Sequence, residues 1–340
     1  MAKDAVLIIQ NITKRFGKKR ILKDISFEVY EGEIIGLIGS SGSGKTTLLR
    51  TITGFFAPDE GNVLFRSDNF LKKINRNSTY VSIYGKHNVT KNLFGFASQT
   101  PSFYEKLTVR ENLMYFGSLY NLSSKALRSN IEILLALFDL KHAEHTLGEK
   151  LSGGMERRLD IACALIHDPE ILVLDEPTSD LDPLLREHIW SLVQKINKRG
   201  TTVMLASHHL NEVENFCSRI AIIKDGGLIE LETPARLKAK YSSSQKIVIE
   251  TYPGNYSNIV KSFKKPGAKA FDAQIKGSEL VLFSDQTKMV LHELLHTLDT
   301  LGEELIDIRV SRPGLDELFL KITEKGEKNN KGGNMREQSG

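Results

Sequence analysis

The sequence has few cysteines, little net charge and no long apolar run. Its 340 residues include two cysteines, Cys163 and Cys217, which are too few for a disulfide framework and fit a reducing compartment. The net charge of +4 is small and scattered, so it does not argue for a nucleic-acid partner. No apolar run approaches the ~20 residues that a membrane-spanning helix needs, and residues 1–4 lead into strand-like sequence without the features of a signal peptide. We therefore expect a cytosolic chain unless a partner holds it at a membrane.

A glycine-rich stretch fits the pattern G-x-x-x-x-G-K-[ST]. It consists of Gly39, Ser40, Ser41, Gly42, Ser43, Gly44, Lys45, Thr46 and Thr47. The apolar run 33–38 before it predicts a buried strand, and residues 47–52 after it predict a helix that stops at Gly54. Backbone N–H groups of such a loop can converge on phosphate oxygens. Lys45 would then reach the terminal phosphates and the Thr46 hydroxyl would bind Mg²⁺, so the stretch predicts nucleotide binding.

Two further apolar runs, residues 171–174 and 202–206, predict buried strands that end in polar side chains. Asp175 and Glu176 follow the first run and His208 follows the second. In open α/β sheets ligands gather at the carboxyl ends of the strands. Asp175 is therefore the candidate anchor for Mg²⁺, and Glu176 is placed to hold the attacking water and to accept its proton. The alternative, a solvated pair of acids, is weak because the preceding run should be buried.

Capping and periodicity predict helices in the middle of the chain. Thr108 and Glu111 have the spacing of a capping box, and helices should follow as far as about Ala143. The apolar residues of this stretch that share one helical face are Leu127, Ile131, Leu134, Leu135 and Phe138. Another helix should open at residues 151–154. Residues 62–89 are polar and weakly patterned, and we interpret them as a surface insertion.

The composition of the sequence changes at the serine-rich residues 241–244, where we place a domain boundary. Beyond it, strands are predicted at residues 246–251, 280–283 and 305–310. A helix is predicted at residues 287–301, with Leu291, Leu294, Leu295 and Leu298 facing inward. This mixture predicts a small α+β domain such as a ferredoxin-like sandwich. The polar residues 324–340 predict a disordered tail.

The order of these motifs resembles that of the nucleotide-binding subunits of ABC transporters, over about residues 6–232. Residues 39–46 correspond to the Walker A loop of that family, and residues 171–176 to its Walker B strand. Gln99 corresponds to the glutamine loop and His208 to the switch histidine. A single motif of this kind would be weak, but the series in the family's order is highly specific.

Three further positions complete the resemblance. Residues 151–154 match the signature motif, and residues 179–182 match the D-loop that contains Asp180. Phe16 stands beside the basic pair Lys14 and Arg15, and from these residues alone it could stack on adenine or pack locally. The resemblance favours the adenine contact.

The resemblance implies a fold, a reaction and two cofactors. The fold is an α/β P-loop NTPase domain of the ABC type over residues 1–240, with an antiparallel β flank and a helical insert at about 101–149. A small α+β accessory domain follows at residues 241–323. The reaction is hydrolysis of ATP with Mg²⁺. The residues implied in it are Lys45, Glu176 and His208 as catalytic groups and Thr46, Gln99 and Asp175 as metal-binding groups.

The resemblance also implies that a second nucleotide-binding subunit, a copy or a close paralogue, closes head to tail over two ATP molecules. The signature residues Ser152, Gly153 and Gly154 suit that contact, because a hydroxyl and unobstructed N–H groups at a helix N-terminus can bind the γ-phosphate of the other subunit. Asp180 belongs to the same interface. Hydrolysis should therefore require dimerisation.

Separate membrane permease subunits are implied as well, with this chain held at the cytoplasmic face of the membrane. Phe103 and Tyr104, at the start of the helical insert, either form part of the permease contact or pack locally. Met155 follows the signature glycines, and with Arg157 and Arg158 it resembles the branch that serves drug, lipid and polysaccharide exporters. Residues 315–320 resemble a C-terminal pattern of that branch, so export is implied. The sequence does not identify the transported substrate.

Two competing interpretations remain besides a non-transporting regulatory subunit, which the intact catalytic residues argue against. The first is a soluble ABC-type ATPase that acts on nucleic acid or ribosomes, and neither a second nucleotide domain, a long coiled coil nor basic clustering supports it. The second comes from His292, Glu293 and His296, which fit the zinc motif H-E-x-x-H. No third ligand is identifiable, so we expect solvated histidines and no zinc.

Overall fold

The computed structural model describes residues 5–66, 80–84, 91–241, 245–263, 272–311 and 314. Packing divides the chain into two compact units, Met1–Thr233 and Pro234–Gly340. The branch pattern at residues 315–320 and the tail predicted at residues 324–340 lie outside the described residues.

The first unit contains two sheets and the helices that pack against them. Its described strands are β1 (Ala5–Phe16), β2 (Lys19–Tyr30), β3 (Ile34–Ile38), β4 (Glu60–Phe65), β5 (Val81–Ser82), β6 (Phe94–Ala97), β7 (Ile171–Asp175), β8 (Thr202–Ser207), β9 (Arg219–Lys224) and β10 (Gly227–Glu232). Its described α-helices are α1 (Lys45–Ile52), α2 (Val109–Ser118), α3 (Ser124–Leu137), α4 (Gly153–Leu165), α5 (Pro183–Lys198) and α6 (Leu210–Phe216). Two 3₁₀ turns, Lys141–Ala143 and Gly148–Lys150, lie between α3 and α4.

The central sheet has six strands in the order β10-β9-β3-β8-β7-β6. Strands β6, β7, β8, β3 and β9 pair in parallel, and β10 pairs antiparallel with β9 through a tight hairpin. Every residue of β3, β7 and β8 is buried, as their continuous apolar sequences require in a parallel sheet covered on both faces. Register places Ile38 beside Ser207 and Asp175 beside Ala206, so the carboxyl ends of these three strands are level.

The second sheet is the expected antiparallel flank, in the order β2-β1-β4-β5. Its inward side chains share one core with the central sheet. The interpretation of residues 62–89 as a surface insertion is wrong at both ends. Val63, Phe65, Val81 and Ile83 are buried in that core, because they alternate along their strands with Leu64 and Ser82, which are only partly buried. The rest of the segment, residues 67–79 and 85–89, lies outside the described residues.

The helical insert is confirmed. The Thr108 side chain accepts a hydrogen bond from the backbone N–H of Glu111, whose carboxylate in turn accepts one from the backbone N–H of Thr108. This capping box starts α2. Of the predicted apolar face, Ile131, Leu134 and Leu135 are buried on α3. Phe138, directly after the helix, is also buried, and Leu127 is partly buried.

Helix α5 begins at Pro183, directly after Asp182. The Asp182 carboxylate accepts a hydrogen bond from the Leu185 N–H at 3.0 Å. An aspartate at the N-cap followed by proline is a helix-start signal that could have been recognised in the sequence.

The second unit contains α7 (Pro234–Tyr241), β11 (Gln245–Tyr252), α8 (Tyr256–Phe263), β12 (Asp272–Lys276), β13 (Glu279–Ser284), α9 (Thr287–Leu301) and β14 (Glu304–Ser311). Its four strands are antiparallel in the order β12-β13-β11-β14. The sequence β11-α8-β12-β13-α9-β14 with this order is the ferredoxin-like topology. The predicted α+β fold is therefore confirmed, although α8 and β12 were not predicted.

One predicted inward residue of α9 is wrong. Leu294 and Leu298 are buried and Leu291 is partly buried, but 44% of Leu295 is exposed and Val290 is buried in its place. Residues 290, 294 and 298 are spaced by four along the helix, so they form the line that faces the sheet. Leu295 lies one step around the helix from that line.

This difference gives a matched pair of substitutions. Leu294→Ala should lower the free energy of unfolding of the second unit by about 2–5 kcal/mol, because it leaves a cavity at a fully buried position. Leu295→Ala should change it by about 0.5 kcal/mol or less. Chemical denaturation of the full chain measures both, and an equal loss for the two variants would contradict the placement of α9.

Candidate functional site

The loop after β3 is shaped by backbone constraints. Gly42 and Gly44 have φ angles of 78° and 107°, a region that side chains other than glycine rarely adopt. A Cβ on Gly39 would lie 2.3 Å from the Ile223 carbonyl oxygen, so no side chain fits there. The Lys45 ammonium donates hydrogen bonds to the Gly39 and Ser40 carbonyls at 2.9 and 3.3 Å. The loop therefore folds around its own lysine at the N-terminus of α1.

Five predicted residues converge where β3, β7 and β8 end. The Thr46 hydroxyl donates to Asp175 Oδ1 at 3.1 Å. Glu176 Oε1 lies 3.8 Å from Lys45 Nζ, and Glu176 Oε2 lies 2.7 Å from His208 Nδ1. The backbone N–H of His208 also donates to the Glu176 carboxylate, at 3.3 Å. A lysine, a hydroxyl, two carboxylates and an imidazole thus form one contact group.

The charges of this group perturb one another. Burial lowers the pKa of Lys45, while the nearby Glu176 and Asp175 carboxylates oppose that shift. Burial raises the pKa of Asp175, and the negative charge of Glu176 adds to the effect, against the hydrogen bond from Thr46. Asp175 is therefore a carboxylate whose ionised form would be stabilised by an added cation.

The residues around Asp175 fit Mg²⁺. A carboxylate and a hydroxyl are the oxygen ligands that this ion prefers, and Mg²⁺ sites commonly use one or two protein ligands with phosphates and water completing the shell. Consistent with so few protein ligands, the described residues contain no group of three or more His, Cys, Asp and Glu that could hold a metal alone. His292 and His296 are exposed on α9.

Of the other predicted site residues, Gln99, Asp180, Ser152 and Gly153 are exposed and lie outside this contact group. Asp180 has a φ of 61°. Ser152 is the N-cap of α4, yet its hydroxyl makes no capping hydrogen bond. No atom lies within 4 Å of a Cβ built on Gly153, whereas Gly154 is buried and a Cβ built on it would lie 2.8 Å from Leu185 Cδ2.

Phe16 is 47% exposed at the end of β1. Lys14 Nζ lies 5.5 Å from its ring centroid, and the Phe56 ring meets it edge-on with the centroids 5.3 Å apart. The ring therefore keeps accessible surface while its position is fixed by two neighbours.

The structural role of Arg157 was not predicted from the sequence, where this residue indicated only a branch of the family. Arg157 is buried, and its guanidinium donates to the Pro177 carbonyl at 2.9 Å, the Ser98 carbonyl at 2.6 Å and the Asp175 carbonyl at 3.2 Å. These hydrogen bonds therefore hold α4 against the segments that follow β6 and β7, beside Gln99 and Glu176.

Asp160 completes this connection. It lies 3.3 Å from Arg157 and accepts hydrogen bonds from the backbone N–H and hydroxyl of Ser102, at 2.8 and 2.9 Å. Two opposite charges three residues apart were the available sequence signal, although Glu156 and Arg158 of the same helix are charged as well.

Glu212 was also missed, and no local sequence signal marks it. Its carboxylate accepts hydrogen bonds from the Thr178 hydroxyl at 2.7 Å and from Trp190 Nε1 at 2.8 Å. It also lies 3.5 Å from Arg186. Glu212 thus holds α6, which follows His208, against the segment that follows Glu176.

Replacing Arg157 should strongly destabilise the first unit. Arg157→Ala removes the partner of buried Asp160 and the donor to three carbonyls, so the free energy of unfolding of the first unit should fall by about 3–5 kcal/mol. Arg158→Ala is the matched control, since the Arg158 side chain is partly exposed and ion-paired with the largely exposed Asp139, and about 1 kcal/mol is expected for it. Chemical denaturation measures both. A loss for Arg157→Ala no larger than that of the control would contradict the connecting role.

Comparison with known proteins agrees with this geometry. The family model described as ABC transporter matches residues 22–179. The linearmycin resistance ATP-binding protein LnrL of Bacillus subtilis is 32% identical over 321 residues, which cover 94% of this chain and 98% of that protein. The Nod factor export ATP-binding protein I of Sinorhizobium fredii is 30% identical over 320 residues, covering 94% of this chain and 86% of that protein.

A solved structure is similar as well. A dimeric ATP-binding cassette in a post-hydrolysis state, bound to ADP and Pi, has a TM-score of 0.57 and 28% identity, covering 67% of this chain and 98% of that one. The two relatives match over 98% and 86% of their own length. The chain therefore belongs to the ABC transporter family, as one of its ATP-binding and ATP-hydrolysing subunits.

Proposed function

We propose that this ATPase powers export across a membrane together with separate permease subunits. The observation that carries the proposal is the contact group of Lys45, Thr46, Asp175, Glu176 and His208 at one edge of the sheet. The similar LnrL protein is named for drug resistance and the similar Nod factor protein for export, which supports the direction of transport. No observation favours a soluble ATPase that acts on nucleic acid or ribosomes.

In the proposed reaction the loop of residues 39–47 binds the phosphates of ATP, and Lys45 turns from its own carbonyls to the terminal phosphates. Thr46, Asp175 and Gln99 would hold Mg²⁺, which supplies positive charge against the phosphate oxygens. Glu176 accepts the proton of the attacking water. His208, already within hydrogen-bonding distance of Glu176, orients that carboxylate and reaches the γ-phosphate.

We further propose that a second nucleotide-binding subunit completes each site. Ser152 and Gly153 are exposed at the N-terminus of α4, where N–H groups and the helix dipole favour an anion. Neither residue contacts the Glu176 group of its own chain in the described residues, so they are free to face the ATP held by the other subunit. Asp180 would lie in the same interface. The subunit could pair with a copy of itself or with a paralogue.

The permease contact is proposed for the exposed aromatic surface of the helical insert. Tyr104, Met114 and Tyr115 are 49%, 49% and 40% exposed, and the rings of Tyr104 and Tyr115 stack edge-on with centroids 4.7 Å apart. Phe103 instead packs beneath Gly148, where a Cβ would lie 2.8 Å from its ring. Tyr104 therefore belongs to this surface and Phe103 supports it.

We propose that the chain lies at the cytoplasmic face of the membrane, held there by the permease. Within the described residues, no helix combines the length and apolarity that a membrane span requires. We propose residues 1–240 as the nucleotide-binding domain and residues 241–323 as the accessory domain.

Replacing the proposed base separates binding from chemistry. Glu176→Gln should retain ATP binding, lose about 10²–10⁴-fold in turnover because no group accepts the proton of water, and accumulate as an ATP-bound dimer. Phosphate release and size-exclusion chromatography measure these effects. Glu187→Gln, on the exposed face of α5, should hydrolyse ATP like the native chain. Native-like turnover by Glu176→Gln would remove Glu176 from the role.

The permease contact is tested by affinity purification from detergent extracts of the source cells. The native chain should retain a multi-span membrane protein, and Tyr104→Ala should retain several-fold less, because it removes the ring at the centre of the aromatic surface. Ile133→Ala is the control, since Ile133 is 43% exposed on α3. Co-purification of ribosomal RNA in place of a membrane protein would refute the export proposal.

A further inference from the structure

Strand β14 lies at an edge of the sheet in the second unit and carries exposed apolar side chains. Among the described residues, β11 is its neighbour in the sheet. Ile306, Ile308 and Val310 are 60%, 37% and 46% exposed. An edge strand offers unpaired N–H and C=O groups to any strand that can lie beside it, and exposed β-branched side chains strengthen that tendency.

Proteins normally protect such edges, and the opposite edge of the same sheet is shorter and more polar. Strand β12 has five residues, among which Gln274 and Lys276 are exposed and polar, although Ile275 is 52% exposed. Strand β14 has eight residues and contains neither lysine nor proline. Its pairing with β11 is regular from Asp307 to Ser311, with one register shift just before Asp307. Most of the strand is therefore extended and able to pair.

The sequence of β14 is complementary to itself. Around Ile308 it reads Ile306-Asp307-Ile308-Arg309-Val310. If two such strands run antiparallel with Ile308 opposite Ile308, Asp307 of each lies opposite Arg309 of the other, and Ile306 lies opposite Val310. Cross-strand pairs of opposite charge or of β-branched residues each contribute about 0.2–1 kcal/mol. We propose that β14 pairs in this register with β14 of a second copy of this chain.

Charges within the sheet favour β14 of a second copy as the strand that pairs at this edge. Asp307 lies directly opposite Glu250 on β11, and like charges so placed repel each other. Arg309 Nε lies 2.8 Å from Asp307, but the same guanidinium also pairs with Glu279. Arg309 of the second copy would bring a cation to the open side of Asp307. A two-fold axis at Ile308 provides this contact twice, so the interface closes on itself.

This pairing would join two copies without ATP. It therefore differs from the nucleotide-dependent contact of the first unit, and it gives the accessory domain the role of a dimer contact. Two contacts between the same pair of chains would raise the effective concentration for the ATP-dependent one.

Disulfide trapping tests the register. In the proposed pair the two Ile308 Cα atoms are about 4.5–5.5 Å apart, a separation that a disulfide spans. Full-length Ile308→Cys, oxidised without nucleotide, should form a covalent dimer. Ser311→Cys is the control, because its two copies would be about 20 Å apart. The native Cys163 and Cys217 are buried. Equal dimer yields from the two variants would overturn the proposal.

Charge exchange tests the pairing itself. In the Ile308→Cys background, Asp307→Arg alone and Arg309→Asp alone should each reduce the covalent dimer about fivefold, since like charges then face each other. Mixing the two variants should restore it as a heterodimer, because every facing pair again has opposite charges. All three positions are exposed, and unchanged thermal unfolding would show that the variants fold. Unreduced yields in the single variants, or no recovery on mixing, would overturn the proposal.

Discussion

The architecture depends on three apolar strands, β3, β7 and β8, that are buried on both faces and end at the same level. Parallel pairing requires that both faces be covered, which explains why every residue of these strands is buried. The level ends place the glycine loop, the pair Asp175 and Glu176, and His208 within hydrogen-bonding distance of one another. A shift of one residue in either pairing would reverse the side chains of a strand and separate the group.

The contact group brings opposite charges together in a largely buried space. Burial disfavours the ionised forms of both Asp175 and Lys45, because it lowers the pKa of Lys45 and raises that of Asp175. Glu176 lies between Lys45 and His208, with its two carboxylate oxygens 3.8 Å from Lys45 Nζ and 2.7 Å from His208 Nδ1.

Arg157 and Glu212 connect this chemistry to the rest of the first unit. Arg157 links α4, whose first residues carry the signature motif, to carbonyl groups beside Gln99 and Glu176. Glu212 links the helix after His208 to the segment after Glu176. Arg157 and Glu212 therefore connect α4 and α6 to the segments after β6 and β7 through directional hydrogen bonds, in addition to the apolar packing of α4.

The sequence by itself determined the phosphate loop, the buried strands that end in acids or histidine, the capping box at Thr108 and the α+β character of the second unit. Each is a local pattern, because glycine spacing, apolar runs and helix caps constrain the backbone nearest to them. The same patterns could not show that residues 62–66 and 80–84 belong to the core, since their alternation is short and lies beside polar sequence.

Only the tertiary structure decided which distant groups meet. Arg157 reaches the Ser98 carbonyl across 59 positions of the chain, and Glu212 reaches Thr178 across 34. Such contacts follow from strand order and helix packing, which local propensity does not encode. Helix packing likewise decided that Val290 rather than Leu295 faces the sheet. The sheet order decided that β14 lies at an edge, where its self-complementary sequence can meet another strand.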